Sequence, residues 1–248
     1  MHEVDEDGRG TAAGVVAGEA PAVPSTLDDL VERVVALVDA AGGGRVLVGV
    51  AGAPAAGKTT LAQALVAAAD ARLRGTGTVE GPAAVQVPMD GFHLADVELE
   101  RLGLRDRKGT PPTFDAGGYV ALLRRLRAAD EDVVYAPAFE RDLEQALAGA
   151  VPVPAGARLV VTEGNYLLLE EGPWSACGEL LDEVWYVDAE EGAREERLLA
   201  RHVEFGKSRE EATAWMAAVD DPDAALAAGS RERADLVVPP SVVSALVR

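Results

Sequence analysis

Apolar residues recur along this chain in two rhythms, which separate the predicted strands from the predicted helices. Unbroken apolar runs rich in β-branched residues are typical of strands buried on both faces of a sheet. Five segments have this pattern: RVLVGVAG (45–52), AAVQVPMD (83–90), ARLVVTEG (157–164), DEVWYVD (182–188) and ADLVV (234–238). Apolar residues spaced three and four apart predict helices over LDDLVERVVALVDA (27–40), KTTLAQALVAAADARL (58–73), GGYVALLRRLRAAD (117–130), EEGAREERLLARHVEFG (190–206) and SREEATAWMAAVD (208–220).

Strands that alternate with helices indicate an α/β fold, in which a mostly parallel sheet carries helices on both faces. Such folds bind ligands beyond the carboxyl ends of their strands. Residues 25–248 are predicted to form one domain, whose first helix Ser25 or Thr26 can cap. Residues 1–24, rich in Gly, Ala, Pro and acidic residues, are predicted to be a flexible tail. The segment RLGLRDRKGTPPTFD (101–115) follows neither rhythm, which predicts a loop.

The acidic composition excludes several classes of partner. The 248 residues carry a formal net charge of −19 at pH 7, which disfavours both nucleic acid and an anionic membrane surface as partners. The single cysteine, Cys177, excludes an internal disulfide framework and a cysteine-rich zinc site. His202 and Glu204 form part of a zinc-deaminase signature, but the cysteine pair that this signature needs is missing. The N-terminus lacks the positive start of a secretory signal, so the predicted location is the cytoplasm.

The first predicted strand runs into GAPAAGKT (52–59), which matches the phosphate-loop pattern G-x-x-x-x-G-K-[ST]. Gly52 and Gly57 permit backbone angles that a Cβ atom would forbid, so successive N–H groups can point into one concavity. Lys58, at the start of a helix, can reach the β- and γ-phosphates, and the Thr59 hydroxyl can ligate Mg²⁺. A chance match in a Gly/Ala-rich turn is the alternative, which the strand–loop–helix setting disfavours. The predicted nucleotide-binding residues are Gly52, Ala53, Pro54, Ala55, Ala56, Gly57, Lys58, Thr59 and Thr60.

Glu163 ends the strand LVVTE and is predicted to hold Mg²⁺ beside Thr59, because Mg²⁺ sites use one or two carboxylates together with phosphate oxygens. A surface carboxylate at a strand end is the alternative interpretation. A GTPase would normally read guanine through an N-K-x-D loop, and the only asparagine in the chain is Asn165, in GNYL. The remaining choice is between a kinase and an ATP-driven regulator.

Asp90 ends the second predicted strand, at the same sheet edge as the phosphate loop. A hydroxyl that attacks a γ-phosphate needs its proton accepted or its oxygen aimed, and a carboxylate can do both. Taken by itself, this position is explained equally well by an Asp-Gly turn after a strand.

The chain resembles the phosphoribulokinase, uridine kinase and pantothenate kinase family of P-loop kinases, and most of all its bacterial nucleoside/nucleotide kinase or sugar-kinase-like branch. The resemblance covers Val46 to Val238 and rests on seven motifs in order: GAPAAGKTT, MDGFHL, KGTPPTFD, YAPAFERD, VTEGNYLLL, RLLARHVEFGKS and RADLVV. It implies a three-layer P-loop NTPase fold with acceptor-site loops at about 90–145 and a small helical lid at about 190–207.

The resemblance also implies roles for single residues. The implied acceptor-pocket residues are Asp90, Phe92, His93, Phe114, Tyr135, Phe139 and Arg141, covered by the loops KGTPPTFD, with Asp115, and YAPAFERD. Core packing is the alternative for Phe92 and Phe139, and an ordinary core or surface position is the alternative for His93.

The helix with RLLARH is implied to be part of a lid. Arg194, Arg197 and Arg201 share one helical face. Arg197 and Arg201 best match the arginines with which the family stabilises the transferring phosphoryl group, whereas a salt-bridged surface stripe is the alternative. RAD (233–235), that is Arg233, Ala234 and Asp235, is implied to lie beside the adenine, and Asp223 stands where the family usually has asparagine.

Together these residues predict an ATP- and Mg²⁺-dependent kinase that phosphorylates a hydroxyl of a small metabolite, such as a nucleoside, a sugar or a pantothenate-like compound. The predicted catalytic residues are Lys58, Asp90, Arg197 and Arg201, and the predicted Mg²⁺ ligands are Thr59 and Glu163. The alternative is a nucleotide-binding regulatory ATPase without a small-molecule acceptor. Because members of the resembled family often dimerise, a homodimer is a further expectation.

Overall fold

The computed structural model describes residues 23–75 and 81–247, so most of the predicted tail lies outside the described residues. Within that part, the strands are β1 (Val46–Ala51), β2 (Ala84–Pro88), β3 (Val133–Glu140), β4 (Gln145–Pro154), β5 (Leu159–Glu163), β6 (Glu183–Val187) and β7 (Leu236–Val238). The helices are α1 (Leu27–Ala40), α2 (Lys58–Arg74), α3 (Asp96–Leu102), α4 (Ala116–Ala128), α5 (Cys177–Leu180), α6 (Glu191–Glu204), α7 (Arg209–Trp215), α8 (Asp221–Ala228) and α9 (Pro240–Leu246).

The five predicted strands all lie in one parallel sheet, in the order β2–β5–β1–β6–β7. Every residue of the central strand β1 is buried, as its unbroken apolar run predicts. In the β2–β5 pair, Pro88 lies opposite Glu163, so both strands end at the same level beside the end of β1. The predicted α/β fold with a mostly parallel sheet is confirmed.

Successive residues of each strand point into two separate cores, because side chains alternate across a sheet. Leu47 and Val184 face a core that includes residues of α4 and α5. Val48 and Trp185 face the opposite core, which includes residues of α1, α2 and α9. Burying one Leu or Val side chain stabilises a fold by about 1.5–3 kcal/mol, and the two cores hold the strand ends in place.

The first helix begins where the sequence predicts, because Thr26 caps it. The Thr26 hydroxyl accepts a hydrogen bond from the backbone N–H of Asp29 at 3.2 Å, and the Asp29 carboxylate accepts one from the backbone N–H of Thr26 at 3.0 Å. This reciprocal capping box satisfies two donors that a helix end would otherwise leave unpaired.

Residues 133–154 form an antiparallel hairpin that the sequence analysis missed, so the prediction of a loop at YAPAFERD is wrong. Pro137 has no N–H for the ladder, and the pairing register shifts between Ala136 and Ala138. This irregularity breaks the alternation that would have predicted a strand. The hairpin packs against the 3₁₀ turn Met89–Phe92, which follows β2. The predicted loop at 101–115 contains the end of α3 and two short 3₁₀ turns.

The short helices α3, α5, α8 and α9 were not predicted either. No helix within the described ranges is long and apolar enough to cross a membrane.

Candidate functional site

The segment 52–57 connects β1 to α2 as a loop whose shape depends on its two glycines. Gly52 has φ +150°, Gly57 has φ +100°, and Ala55 between them has φ +61°. A Cβ atom on Gly57 would lie 2.5 Å from Cγ1 of Val243 in α9, and one on Gly52 would lie 2.9 Å from the Val187 carbonyl oxygen. Both glycines are therefore required for backbone angle and for space.

The start of α2 has the features of an anion site. No side chain caps the helix at Gly57, so its first N–H groups and the positive end of its dipole are available to an anion. The buried Lys58 donates to the Ala53 carbonyl at 2.8 Å and to Asn165 Oδ1 at 2.6 Å. Burial lowers the pKa of Lys58 to about 8, although the nearby Glu163 and Asp90 oppose this shift. The ammonium group thus lies in a setting where a phosphate would stabilise its charge.

Thr59 and Glu163 bring two oxygen donors together beside this helix start. The Thr59 hydroxyl donates to Glu163 Oε1 at 3.2 Å. Burial, together with the charge of Asp90, raises the pKa of Glu163 to about 7. A hydroxyl and a carboxylate are a donor set that suits Mg²⁺, with phosphate oxygens completing the shell. Within the described residues no group of three or more His, Cys, Asp and Glu side chains could hold a metal by itself.

Asp90 lies at the carboxyl end of β2, inside the turn Met89–Phe92. Its carboxylate accepts a hydrogen bond from Nη2 of Arg141, at 2.9 Å. Burial opposes ionisation of Asp90, but His93, Arg141 and Lys58 together hold its pKa below the ordinary value. An ionised carboxylate therefore faces the same space as Lys58.

An aromatic cluster forms the wall next to Asp90. The centroid of the His93 ring lies 4.0 Å from that of Phe114 and 4.8 Å from that of Phe139. His93 Nδ1 lies 2.8 Å from the Asp90 carbonyl oxygen, and burial lowers the pKa of its imidazole. Lys108 and Arg141 lie over the Phe139 ring, 5.2 and 5.0 Å from its centroid. This wall combines flat apolar surface with positive charge.

The three arginines of α6 have different surroundings. Arg194 is buried and donates to Glu191 at 2.6 Å and to the Pro54 carbonyl at 3.5 Å. Arg197 is exposed and donates from Nε to the Ala55 carbonyl at 3.1 Å. Arg201 is half-buried, and burial lowers its pKa. Arg194 and Arg197 therefore fasten the helix to the phosphate loop, while Arg201 faces the open space next to Asp90.

Apart from Arg194, which faces a second cavity, the side chains described above line one cavity of about 580 Å³, called the cleft below. It brings together most of the predicted site residues: Pro54, Ala55, Gly57, Lys58, Thr59, Thr60, Asp90, His93, Phe114, Phe139, Arg141, Glu163, Arg197 and Arg201. The loop residues Gly52, Ala53 and Ala56 do not line it, and Ala53 and Ala56 face a second cavity.

Some predicted residues lie elsewhere. Phe92 packs against the core, edge-to-face with Tyr119 at 5.3 Å. Tyr135 is 59% exposed on β3 and does not line the cleft. Asp115 does not cover the acceptor pocket but caps α4 by accepting from the Gly118 N–H at 2.8 Å.

The expectation that RAD (233–235) lies beside the adenine is wrong. These residues precede β7 at the amino edge of the sheet, where the Asp235 carboxylate accepts from the Val184 N–H and Arg233 donates to the Leu168 carbonyl. Because the sheet is parallel, this edge is opposite to the one that carries the phosphate loop.

The cleft also contains residues that the sequence analysis did not predict. Asn165 is the partner of Lys58, and its position two residues after the predicted Mg²⁺ ligand Glu163 was the one feature of the sequence that could have pointed to it. His202 of α6 bonds to Asp220 at 2.8 Å. Lys207 lies over the Trp215 ring at 4.9 Å. Neither of these last two pairs follows from a motif.

Comparisons with known proteins relate most of the chain to proteins named as kinases. No family model matches it. A protein named "Putative uridine kinase" of Schizosaccharomyces pombe is 34% identical over 192 residues, which cover 76% of this chain and 78% of the relative. The pantothenate kinase of Bacillus velezensis is 34% identical over 152 residues, covering 58% of this chain and 46% of the relative.

A solved structure gives the same result. The crystal structure of a "putative fructose transport system kinase" from Silicibacter sp. TM1040 is 36% identical, with a TM-score of 0.76 over 86% of this chain and 99% of that chain.

Proposed function

This chain belongs to the P-loop kinase family that includes uridine kinase and pantothenate kinase, and from this membership we propose that it phosphorylates a hydroxyl group of a small metabolite. It is an ATP-dependent kinase of small molecules that uses Mg²⁺. The hydroxyl acceptor and the roles of single residues are the proposal. The observation that carries it is the ionised Asp90, which shares one cleft with Lys58 and with the phosphate loop.

Lys58 and the free N–H groups at the start of α2 would hold the β- and γ-phosphates of ATP. Thr59 and Glu163 would hold Mg²⁺, whose charge offsets the negative charge of those phosphates. The close approach of the two side chains supports this pairing.

Asp90 would aim the acceptor hydroxyl at the γ-phosphorus. Against the effect of burial, His93 and Arg141 keep this carboxylate ionised, and the bond from Arg141 fixes its position, so Asp90 is a weak base with a fixed position. A weak base suits phosphoryl transfer through a loose transition state, in which positioning contributes more than early proton removal. Arg201 would stabilise the charge of the transferring group from the opposite wall.

The acceptor class is open among hydroxyl compounds. The relatives are named for uridine, pantothenate and fructose, and the wall formed by His93, Phe114 and Phe139 suits a flat base or the apolar face of a sugar. The alternative, a regulatory ATPase without an acceptor, does not explain why the aromatic wall of His93, Phe114 and Phe139 lies beside Asp90. That wall favours the kinase.

The test is ADP production by the full chain with ATP and Mg²⁺, alone and with a panel of nucleosides, sugars and pantothenate-like compounds. Stimulation by one class supports the kinase and identifies its acceptor. Asp90→Asn should lower the stimulated rate by about 10²–10⁴-fold and leave nucleotide affinity within about twofold, because Asp90 makes no bond to the phosphate loop. Slow hydrolysis that no acceptor changes, or an Asp90→Asn variant with normal turnover, would contradict the proposal.

A further inference from the structure

The ammonium group of Lys58 is bonded to two uncharged oxygen atoms on different segments of the chain. Its Nζ donates to the Ala53 carbonyl at 2.8 Å and to Asn165 Oδ1 at 2.6 Å. Lysine has three N–H donors and no acceptor, so the amide oxygen of Asn165 faces it and the amide nitrogen does not. Two such bonds fix the rotation of the ammonium group. Its third N–H is left for a ligand in the cleft, which Lys58 lines.

Asn165 has this place because the chain after β5 is packed against β1 and against the turn Met89–Phe92. The N–H of Gly164 donates to the Val50 carbonyl at 3.1 Å, which ties this segment to the end of β1. A Cβ atom on Gly164 would lie 2.5 Å from Sδ and 2.6 Å from Cβ of the fully buried Met89. Gly164 therefore permits a close approach of the two segments. Asn165, the next residue, is positioned by these backbone contacts.

The absence of charge on both partners matters as much as their positions. Lys58 is buried, and the charges of Glu163 and Asp90 already act on it. An amide oxygen accepts a hydrogen bond from the ammonium group without neutralising it, whereas a carboxylate at the same distance would form an ion pair with it. The lysine of a phosphate loop binds phosphate groups through its charge. An asparagine at position 165 can therefore orient the ammonium group without competing with a phosphate for it.

We propose that Asn165 is a positioning residue that aims the ammonium group of Lys58 at the phosphates of the nucleotide and leaves its charge available to them. This rests on the proposed function in one respect, namely that Lys58 binds those phosphates. A side chain that is already ordered loses less conformational entropy when a ligand binds, and for a long, flexible lysine this saving is considerable. Asn165 thus raises nucleotide affinity through Lys58, and not through a phosphate contact of its own.

The experiment is a double-mutant cycle on the full chain, in which the affinity for MgATP is measured without an acceptor. Asn165→Leu removes the amide and keeps a branched side chain, and Lys58→Met removes the ammonium group. We expect Asn165→Leu alone to lower the affinity about tenfold, near the lower end of what a hydrogen bond to a charged group contributes. In the Lys58→Met background the same substitution should lower it by less than about twofold, because no ammonium group is left to aim. A residue that only supports the fold would cause the same loss in both backgrounds.

Asn165→Asp tests the importance of charge. It places a carboxylate within hydrogen-bond distance of the ammonium group, so we expect its affinity for MgATP to fall below that of Asn165→Leu. Lys207→Met is the matched control, because Lys207 lines the same cleft but lies over the Trp215 ring, at 4.9 Å. In the Lys207→Met background, Asn165→Leu should keep its full tenfold effect.

Three results would overturn the proposal: an Asn165→Leu variant with the affinity of the wild type, an equal loss with and without the Lys58 ammonium group, or an Asn165→Asp variant that binds MgATP as the wild type does. Thermal unfolding shows whether each variant is folded at the assay temperature, and if Asn165→Leu is not, the comparison of Asn165→Asp with the wild type decides.

The same cycle separates this proposal from the proposed function. A Lys58→Met variant with the affinity of the wild type would remove the phosphate-binding role of Lys58, and the role of Asn165 with it. A failure of every acceptor to stimulate ADP release would instead contradict the proposed acceptor and leave the result of the cycle standing, because the binding measurements use no acceptor.

Discussion

Gly91→Ala should separate the hairpin from Asp90 and so weaken acceptor binding. Gly91 lies in the turn Met89–Phe92, where the backbone of β3 passes directly over it. A Cβ atom on Gly91 would lie 2.6 Å from the carbonyl carbon of Pro137 and 3.0 Å from the amide nitrogen of Ala138, with the Pro137 oxygen closer still. The obstacle is backbone, so no side-chain rotation can relieve it.

The size of the effect follows from these distances. Non-bonded carbon atoms in contact are separated by about 3.5 Å, whereas the new Cβ atom would lie 2.6 Å from the Pro137 carbonyl carbon. The hairpin must therefore move by about 0.9 Å at Pro137. The same movement would stretch the 2.9 Å bond between Arg141 and Asp90 beyond the roughly 3.2 Å limit of a good hydrogen bond. Overpacking of this kind destabilises a protein by about 1–3 kcal/mol, or about 2–12 °C in Tm at this chain length. Misplacing a catalytic group by about 1 Å can lower the rate about 10²-fold.

The assays are thermal unfolding, nucleotide binding and acceptor-dependent ADP release. We expect a lower Tm and a large loss of acceptor-dependent rate, with nucleotide affinity close to that of the wild type because the phosphate loop lies on another strand. Gly178→Ala is the matched control: nothing lies within 4 Å of its Cβ position, and alanine should raise helix stability by up to about 1 kcal/mol. A Gly91→Ala variant with the Tm and acceptor kinetics of the wild type would refute the reasoning.

Three further predictions concern the phosphate side of the cleft. The pKa of Lys58 is lowered to about 8 and a phosphate binds its charged form, so the ATP affinity of the wild type should fall about tenfold per pH unit above pH 8. The ATP affinity of Lys58→Arg should not change between about pH 7 and 9.5, and a wild-type affinity that is equally independent of pH contradicts the prediction. Glu163→Gln should raise the Mg²⁺ concentration needed for half-maximal rate by at least about tenfold, and an unchanged Mg²⁺ dependence would remove Glu163 as a ligand. Arg201→Met should lower kcat about 10²-fold without changing Tm, whereas Arg194→Met should lower Tm by leaving Glu191 and the Pro54 carbonyl without their donor; the reverse pattern would show that the two roles are exchanged.

The sequence by itself determined the sheet, the phosphate loop and the pairing of Thr59 with Glu163. Each of these depends on local information: an unbroken apolar run predicts a buried strand, and G-x-x-x-x-G-K-T specifies backbone shape, charge and a hydroxyl within eight residues. Because parallel strands deliver their carboxyl ends to one edge, the order of the motifs was enough to place Asp90 and Glu163 near Lys58. The family resemblance agreed with these placements.

Only the tertiary structure decided which side chains enter the cleft. Pro137 interrupts the alternation that would have predicted the hairpin. Residues four apart in a regular strand share a face, so the register shift between Ala136 and Ala138 separates Phe139, which lines the cleft, from the exposed Tyr135. The spacing of the arginines in α6 is the same whether they bind a ligand or the protein, and it is packing against the phosphate loop that buries Arg194 and leaves Arg201 facing the cleft.

The hydrogen bond between Lys58 and Asn165 depends on the same kind of information. These two residues lie 107 positions apart in the chain. Hydrogen bonds and burial depend on distances between segments that the fold brings together, and these distances are not encoded in the spacing of residues along one segment.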